Sequence, residues 1–286
     1  MSNGNTVVHR SNWPWRVAAS VAAATVVLGG CSSEGGDKAA GPSSSAPSKS
    51  AAAASGSPSA AASASASGGD ASPGTPFKAD PAKVPGTRSR AEALAAAVAL
   101  KPQGWGAGFR AQQQAASTPG TVALLDEQCR WERRALPKGV LASLSRYSEI
   151  PAAGGKGEIK VSAAVTVHTT VRNADEQLAA TLEEPLRCRQ QQVRTDEWIS
   201  GLISNATPYG QGNNTYSDDQ VVEMGKYLTG KREQTYYWHV TRLGTVTLAV
   251  SVKGAKGYSN NELAKYASEA DAAMLIRLES ELGGNS

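Results

Sequence analysis

Only two histidines lie beyond the first thirty residues, His168 in "VTVHTTV" and His239 in "YYWHVTR", and both fall within stretches that alternate apolar and polar residues. His-Glu-x-x-His, Gly-x-Ser-x-Gly, Gly-x-x-x-x-Gly-Lys and EF-hand spacings do not occur, so zinc-protease, serine-hydrolase, phosphate-loop and calcium-hand chemistry lack their sequence basis. Two imidazoles cannot make a histidine-rich metal site. No catalytic residue and no cofactor is expected. What His168 and His239 could do is bind. If their strands are neighbours, they would share a polar surface with Tyr237, suited to a small polar ligand or a cell-wall fragment. The alternative is two solvated strand histidines without a function. Trp105, in the glycine-rich "PQGWGAGF", is the candidate exposed aromatic, or else a flap over the edge of the core. Asp218 and Asp219 end a polar, turn-rich segment, "NATPYGQGNNTYSDDQ", and two adjacent acids without a ligand spacing read as a solvated loop before they read as a calcium site.

The chain has three cysteines, an odd number that leaves one without an intramolecular partner. Before Cys31 come a polar start with Arg10 and Arg16, an apolar run from Val17 to Leu28, and small residues, which is the layout of a secretory signal peptide. The run is well short of the ~20 residues a membrane-spanning helix needs. Leu28-Gly29-Gly30-Cys31 resembles the lipobox of bacterial lipoproteins. That resemblance implies cleavage after Gly30, a diacylglyceryl group on the Cys31 thiol, and a place on the extracytoplasmic face of the cell membrane; a chance cysteine behind an ordinary leader is the alternative. Export to an oxidising compartment then leaves Cys129 and Cys188 to form one structural disulfide. A redox-active pair would show Cys-x-x-Cys spacing instead.

Residues 31–88 are dominated by Ser, Ala, Gly and Pro, as in "AAAASGSPSAAASASASGG". Such a segment buries too little apolar surface to offset its chain entropy, so it reads as a disordered tether. As a flexible coil at ~5–6 Å × √n it spans roughly 40 Å. The formal charge of +4 falls to about +2 without Arg10 and Arg16, and acidic and basic residues are interspersed. No concentrated basic face announces a nucleic-acid partner. The organisation expected is a leader at 1–30, a lipidated tether at 31–88 and one extracytoplasmic domain at 89–286.

Within that domain, "GEIKVSAAVTVHTTV" sets Ile159, Val161, Ala163, Val165 and Val167 on one face and Lys160, Ser162, Thr166 and His168 on the other. "GVLASLSRYSEIP" can supply its hairpin partner, with "AAGGKG" as the turn. "QTYYWHVTRLGTVTLAVSV" reads as a second hairpin turning near Gly244, with Tyr236, Trp238 and Val240 assigned to its core face and Trp238 therefore to the core. Helices follow both hairpins: Asn173/Glu176 and Ser259/Glu262 have capping-box spacing. In the last helix Leu263, Tyr266, Ala267, Ala270, Ala273, Met274 and Leu278 form the packing stripe. A further helix is expected across "SRAEALAAAVAL" and a strand near "EQCRWERRALP". The fold class expected is α+β, a single antiparallel sheet built from two ββα units with the helices packed on one face.

The lipobox, the tether, and "CRWERRALP", "SAAVTVHTTV", "PLRC" and "RLGTVTLAVSVKG" before a C-terminal helix resemble actinobacterial, streptomycete-type secreted lipoproteins. More distantly, over roughly Val122 to Leu282, they resemble the PknH-like extracellular sensor domain. The resemblance implies an α+β domain with a cleft for a ligand, and the absent catalytic motifs, the lipobox and the tether make binding without turnover the expectation. The partners expected are the membrane, through Cys31, and an unknown small molecule or envelope component. The alternative is an accessory lipoprotein that docks on an envelope protein, and a hydrolase of unfamiliar type acting on cell-wall polymers is a weaker third.

Overall fold

A computed structural model describes residues 76–283. The leader, Cys31 and the tether up to residue 75 lie outside the described residues. Within 76–88, read from the sequence as tether, Phe77 and Ala79 already pack against the core, and the Asp80 amide donates to the Leu282 carbonyl at 3.0 Å.

Helix α1 (Arg88–Val98) starts where the Thr87 hydroxyl accepts from the Arg90 amide, and it buries Ala91, Leu94, Ala95 and Val98, the i, i+3, i+4, i+7 stripe of an amphipathic helix. A short 3₁₀ turn (Pro102–Trp105) leads to β1 (Arg110–Ala116). The hairpin β2 (Thr121–Leu125) and β3 (Trp131–Ala135) stands apart as its own two-stranded sheet. Then come β4 (Val140–Ile150), β5 (Ile159–His168), α2 (Val171–Arg187), β6 (Gln190–Arg194), β7 (Glu197–Pro208), β8 (Asp219–Thr229), β9 (Arg232–Leu243), β10 (Val246–Lys253) and α3 (Asn260–Leu282).

Both expected hairpins form, β4 with β5 and β9 with β10, but the expected architecture does not. The molecule is mostly β: eight antiparallel strands in the order β1-β4-β5-β10-β9-β8-β7-β6 make one sheet curled into a half-barrel. The segment between the two hairpin-helix units supplies three more strands, β6 to β8, and these continue the sheet past β9 as a meander. Nor do the helices share a face. Tyr237, His239 and Thr241 pair in register with Val252, Val250 and Leu248, which puts them on the side covered by α1 and α3. Helix α2 packs on the opposite side, Leu178 against Val221 and Val240. The sheet is sandwiched, because eight strands expose two wide faces and both carry apolar residues.

The outer face holds the main core: Val161, Val165, Val250 and Val252 from the strands against Leu263, Met274 and Leu278 of α3. Helix α3 opens with the expected Ser259/Glu262 capping box. Helix α2 opens earlier than Asn173: the Thr170 hydroxyl accepts from the Asn173 amide and is the cap.

The inner face is the one the sheet curls around. Gln112 and Gln114 on β1, at one edge of the sheet, line the same cleft as Val193 and Arg194 on β6, at the other edge. The hairpin β2–β3 closes over the mouth and is tied to the β6 edge. The Cys129–Cys188 disulfide joins the hairpin turn to the end of α2, and the Gln192 amide donates to the Cys129 carbonyl at 2.8 Å. The disulfide thus has a definite mechanical place, clasping a separate hairpin to a curled sheet.

Candidate functional site

The cleft on the inner face measures about 330 Å³. Its floor is the centre of the sheet, where Ser162 and Ala164 of β5 lie beside Ala249 and Ser251 of β10. Small side chains on the inside of a curl leave depth, and the two serine hydroxyls hydrogen-bond each other at 2.6 Å. Aromatic residues make the walls. Trp131 on β3 meets Trp238 on β9 edge to face, with ring centroids 5.0 Å apart, and Tyr236 and Tyr147 line the same space. Trp131 is fixed from behind: its indole Nε1 donates to Gln191 Oε1 at 2.8 Å, and Gln191 is only 1 % exposed.

Charge is concentrated at two points. At one, Lys160 on β5 and Lys253 on β10 are direct cross-strand neighbours, an arrangement that like charges disfavour. Glu197 of β7 offsets it, reaching Lys253 Nζ at 2.8 Å, Lys160 Nζ at 3.6 Å and Arg194 Nη1 at 3.4 Å. Burial works to raise the Glu197 pKa, but the Lys253 ammonium, then Arg194 and Lys160, hold it below the ordinary glutamate value. At the other point stands Arg133 of β3. Its guanidinium donates from Nε to Thr121 Oγ1 at 2.8 Å, from Nη2 to the Thr121 carbonyl at 2.6 Å, and from Nη1 to Ser145 Oγ at 3.2 Å.

Under α2 a second polar group is buried. Glu223 of β8, 1 % exposed, accepts from Ser204 Oγ at 2.6 Å through Oε1, while its Oε2 has no hydrogen-bond partner. Burial, then the neighbouring Glu223 carboxyl, push Glu184 of α2 up to about 7.

The residues expected to form a binding surface are not brought together. His168 and His239 lie on opposite faces of the sheet, on β5 and β9, with β10 between those strands. His168 is buried under α2, its Nε2 within 2.8 Å of Gln177 Oε1 and 3.3 Å of Thr247 Oγ1, and burial lowers its pKa despite the Gln177 contact. His239 is buried beneath the outer-face helices, and burial lowers its pKa to about 4. Tyr237 shares that outer face, its hydroxyl donating to the Asn260 carbonyl at 3.4 Å. Trp105 is 5 % exposed and packs on Phe109, which in turn meets Tyr266 of α3 edge to face; it is a flap over the core edge. None of these four residues lines the cleft. Trp238, assigned to the core, packs against two small buried clusters and also lines the cleft. Asp218 and Asp219 are neutralised by Arg242, which donates to Asp218 Oδ2 at 3.0 Å and to Asp219, while the Gly244 amide donates to Asp218 Oδ2 at 2.7 Å. They pin the β7–β8 turn to the β9–β10 turn, and no group of three or more metal-ligating side chains occurs among the described residues.

Sequence reasoning missed Trp131, Arg133, Lys160, Arg194, Glu197 and Lys253 as a set. A partial signal was present: period-two alternation in "CRWERRA" puts Trp131 and Arg133 on one side of a strand, and the polar face of β5 already contained Lys160 and Ser162. Comparison with known proteins returns neither a matching family model nor a curated relative.

Proposed function

We propose that this chain is a membrane-anchored extracytoplasmic lipoprotein whose folded domain binds a small molecule, in a sensory or carrier role and without turnover. The observation that carries the reading is the inner cleft, with a floor of small residues, aromatic walls and a few placed charges. These are the attributes of small-molecule sites, and its volume lies near the lower end of their ~300–1,000 Å³ range. The non-catalytic part of the reading is supported by the placement of His168 and His239, both buried away from the cleft. The anchor at Cys31 rests on the lipobox-like sequence, and the oxidising compartment it implies agrees with the Cys129–Cys188 disulfide. Native mass spectrometry of the protein recovered from its own membrane tests the reading. A single small-molecule adduct, lost on unfolding and absent from an Ala249→Phe variant whose cleft floor is filled, is the expected result; an adduct equally present in that variant contradicts it.

A second reading, an accessory protein that docks on another envelope protein, is favoured by one feature. Ile203 of β7 and Met224 of β8 are direct cross-strand neighbours and both are exposed, on the outer face beyond the cover of α3. Crosslinking from a photoreactive residue at position 203 in intact cells distinguishes the two, since a single protein adduct there supports docking.

A further inference from the structure

Resting on the reading of the cleft as a ligand site, we infer that its ligand class is an oxyanion carried on a flat or chain-like apolar body, with the anionic group held by Arg133 and the body lying against the edge-to-face pair of Trp131 and Trp238.

The lining of the cleft is unbalanced in charge. Four cations face the cleft, Arg133, Lys160, Arg194 and Lys253, and the single acidic residue among its lining side chains, Glu132, is engaged by Arg134. The lysine pair and Arg194 share one carboxylate, Glu197, with Glu158 assisting Lys160 at 3.3 Å. Arg133 has no carboxylate within ion-pair reach among the described residues. All three of its hydrogen bonds run to neutral acceptors on Thr121 and Ser145. A guanidinium has five N–H donors in a planar fork, so two remain for a ligand. The fork is held in place by the strands on either side of it and its charge is not neutralised, which is the arrangement that matches a carboxylate, sulfonate or phosphate.

The apolar requirement comes from the rest of the wall. Trp131 and Trp238 present ring surface beside Ala164 and Ala249, with Val193 and Ile199 closing the far side. An inorganic anion would leave that surface wet. A neutral apolar molecule would bury Arg133 without a counter-charge, a desolvation that costs more than it returns. Only a molecule with both parts satisfies both.

Two dyes with the same aromatic body provide the test. 8-Anilinonaphthalene-1-sulfonate carries an anion and N-phenyl-1-naphthylamine does not. The full-length chain with Cys31→Ala, titrated at low salt, is expected to bind the sulfonate at one saturable site at least about tenfold more tightly than the neutral dye, the usual worth of one hydrogen bond to a charged group. Arg133→Gln is expected to remove that preference and Arg133→Lys to retain part of it, with circular dichroism reporting the fold of each. If Arg133→Gln does not fold, loss of the preference with rising salt in the unsubstituted protein decides the same point. Equal affinity for the two dyes, at a site that Ala249→Phe closes, overturns the anion inference and leaves the cleft reading standing. Binding of neither dye, or binding that Ala249→Phe leaves unchanged, overturns both.

Discussion

Lys160 and Lys253 stand opposite each other on adjacent strands, and Glu197 from β7 bridges them at 3.6 Å and 2.8 Å across the inner face. The bridge links the centre of the sheet to its β6–β7 flank, so it helps set the curl that creates the cleft. Removing the carboxylate leaves Lys253 and Arg194 unpaired and two ammonium groups facing each other, with only Glu158 beside Lys160. Glu197→Gln is expected to lower stability by roughly 2–3 kcal/mol, below the range for fully buried pairs because these side chains keep some solvent. The sign of the pH effect follows from a folded pKa held below the unfolded one: the contribution is present above about pH 4.5 and is lost as pH falls through the folded value. Urea melts between pH 3 and 7, with and without the substitution, measure both.

The Cys129–Cys188 disulfide closes a loop with a sequence separation of 59 residues. In the chain-entropy account a loop of that size contributes roughly 4 kcal/mol. Because the bond clasps the β2–β3 hairpin to the end of α2, reduction or the double change Cys129→Ser and Cys188→Ser is expected to free the hairpin before the sheet melts. Hydrogen exchange should therefore rise first in residues 121–135, while β5 and β10 stay protected.

Asp271 sits in the buried stripe of α3, where Thr241 Oγ1 donates to it at 2.9 Å and Gln220 Nε2 at 3.0 Å. Burial raises its pKa to about 6 in spite of these donors. Between about pH 4 and 6 the folded protein holds a proton that the unfolded chain has released, so stability declines as pH rises through that window and stays lower above it. Asp271→Asn, which keeps an acceptor for Thr241, is expected to flatten this step and to stabilise the protein at pH 7 by about 1–3 kcal/mol. Thermal melts of the pair at pH 4 and pH 7 should differ only at the higher pH.

Gly254 follows β10 where the chain turns toward α3. A Cβ there would lie 2.6 Å from the Thr235 carbonyl oxygen and 2.7 Å from Leu263 Cδ1. The backbone contact cannot yield without moving β9, so Gly254→Ala is expected to cost about 1–3 kcal/mol. Gly86, with open space around it, is the control: Gly86→Ala should leave the melting temperature nearly unchanged.

The legible parts of the fold were those where a single period decided the matter. The apolar face of β5, the β9–β10 turn and the Ser259/Glu262 cap were all readable, because each is written in consecutive residues. The assignment of faces on β9 was half right: Tyr236 and Val240 are buried with Trp238 packed beside them, but the opposite face is covered as well. Tyr236, Trp238 and Val240 look like the core side, yet the register with β10 places Tyr237, His239 and Thr241 under α3, where Asn260 and Asp271 satisfy the polar atoms. The half-barrel was hidden because β7 and β8 carry polar residues on both faces, as in "SNATP" and "VEMGK", and so show no clean alternation. The cleft was hidden for a different reason. Its walls come from β1, β3, β6 and β9, segments distant in sequence that only the curl of the sheet brings together.

The most direct test of the central claim follows the indole N–H resonances of the full-length Cys31→Ala chain in ¹H–¹⁵N spectra while a low-molecular-mass extract of the cell envelope is added. Trp131 and Trp238 line the cleft, Trp105 is buried on the outer side, and each resonance can be assigned by a Trp→Phe change. Saturable shifts of Trp131 and Trp238 with Trp105 unmoved are the predicted result. An extract that shifts neither cleft tryptophan, or that moves Trp105 alone, would contradict the cleft as a ligand site.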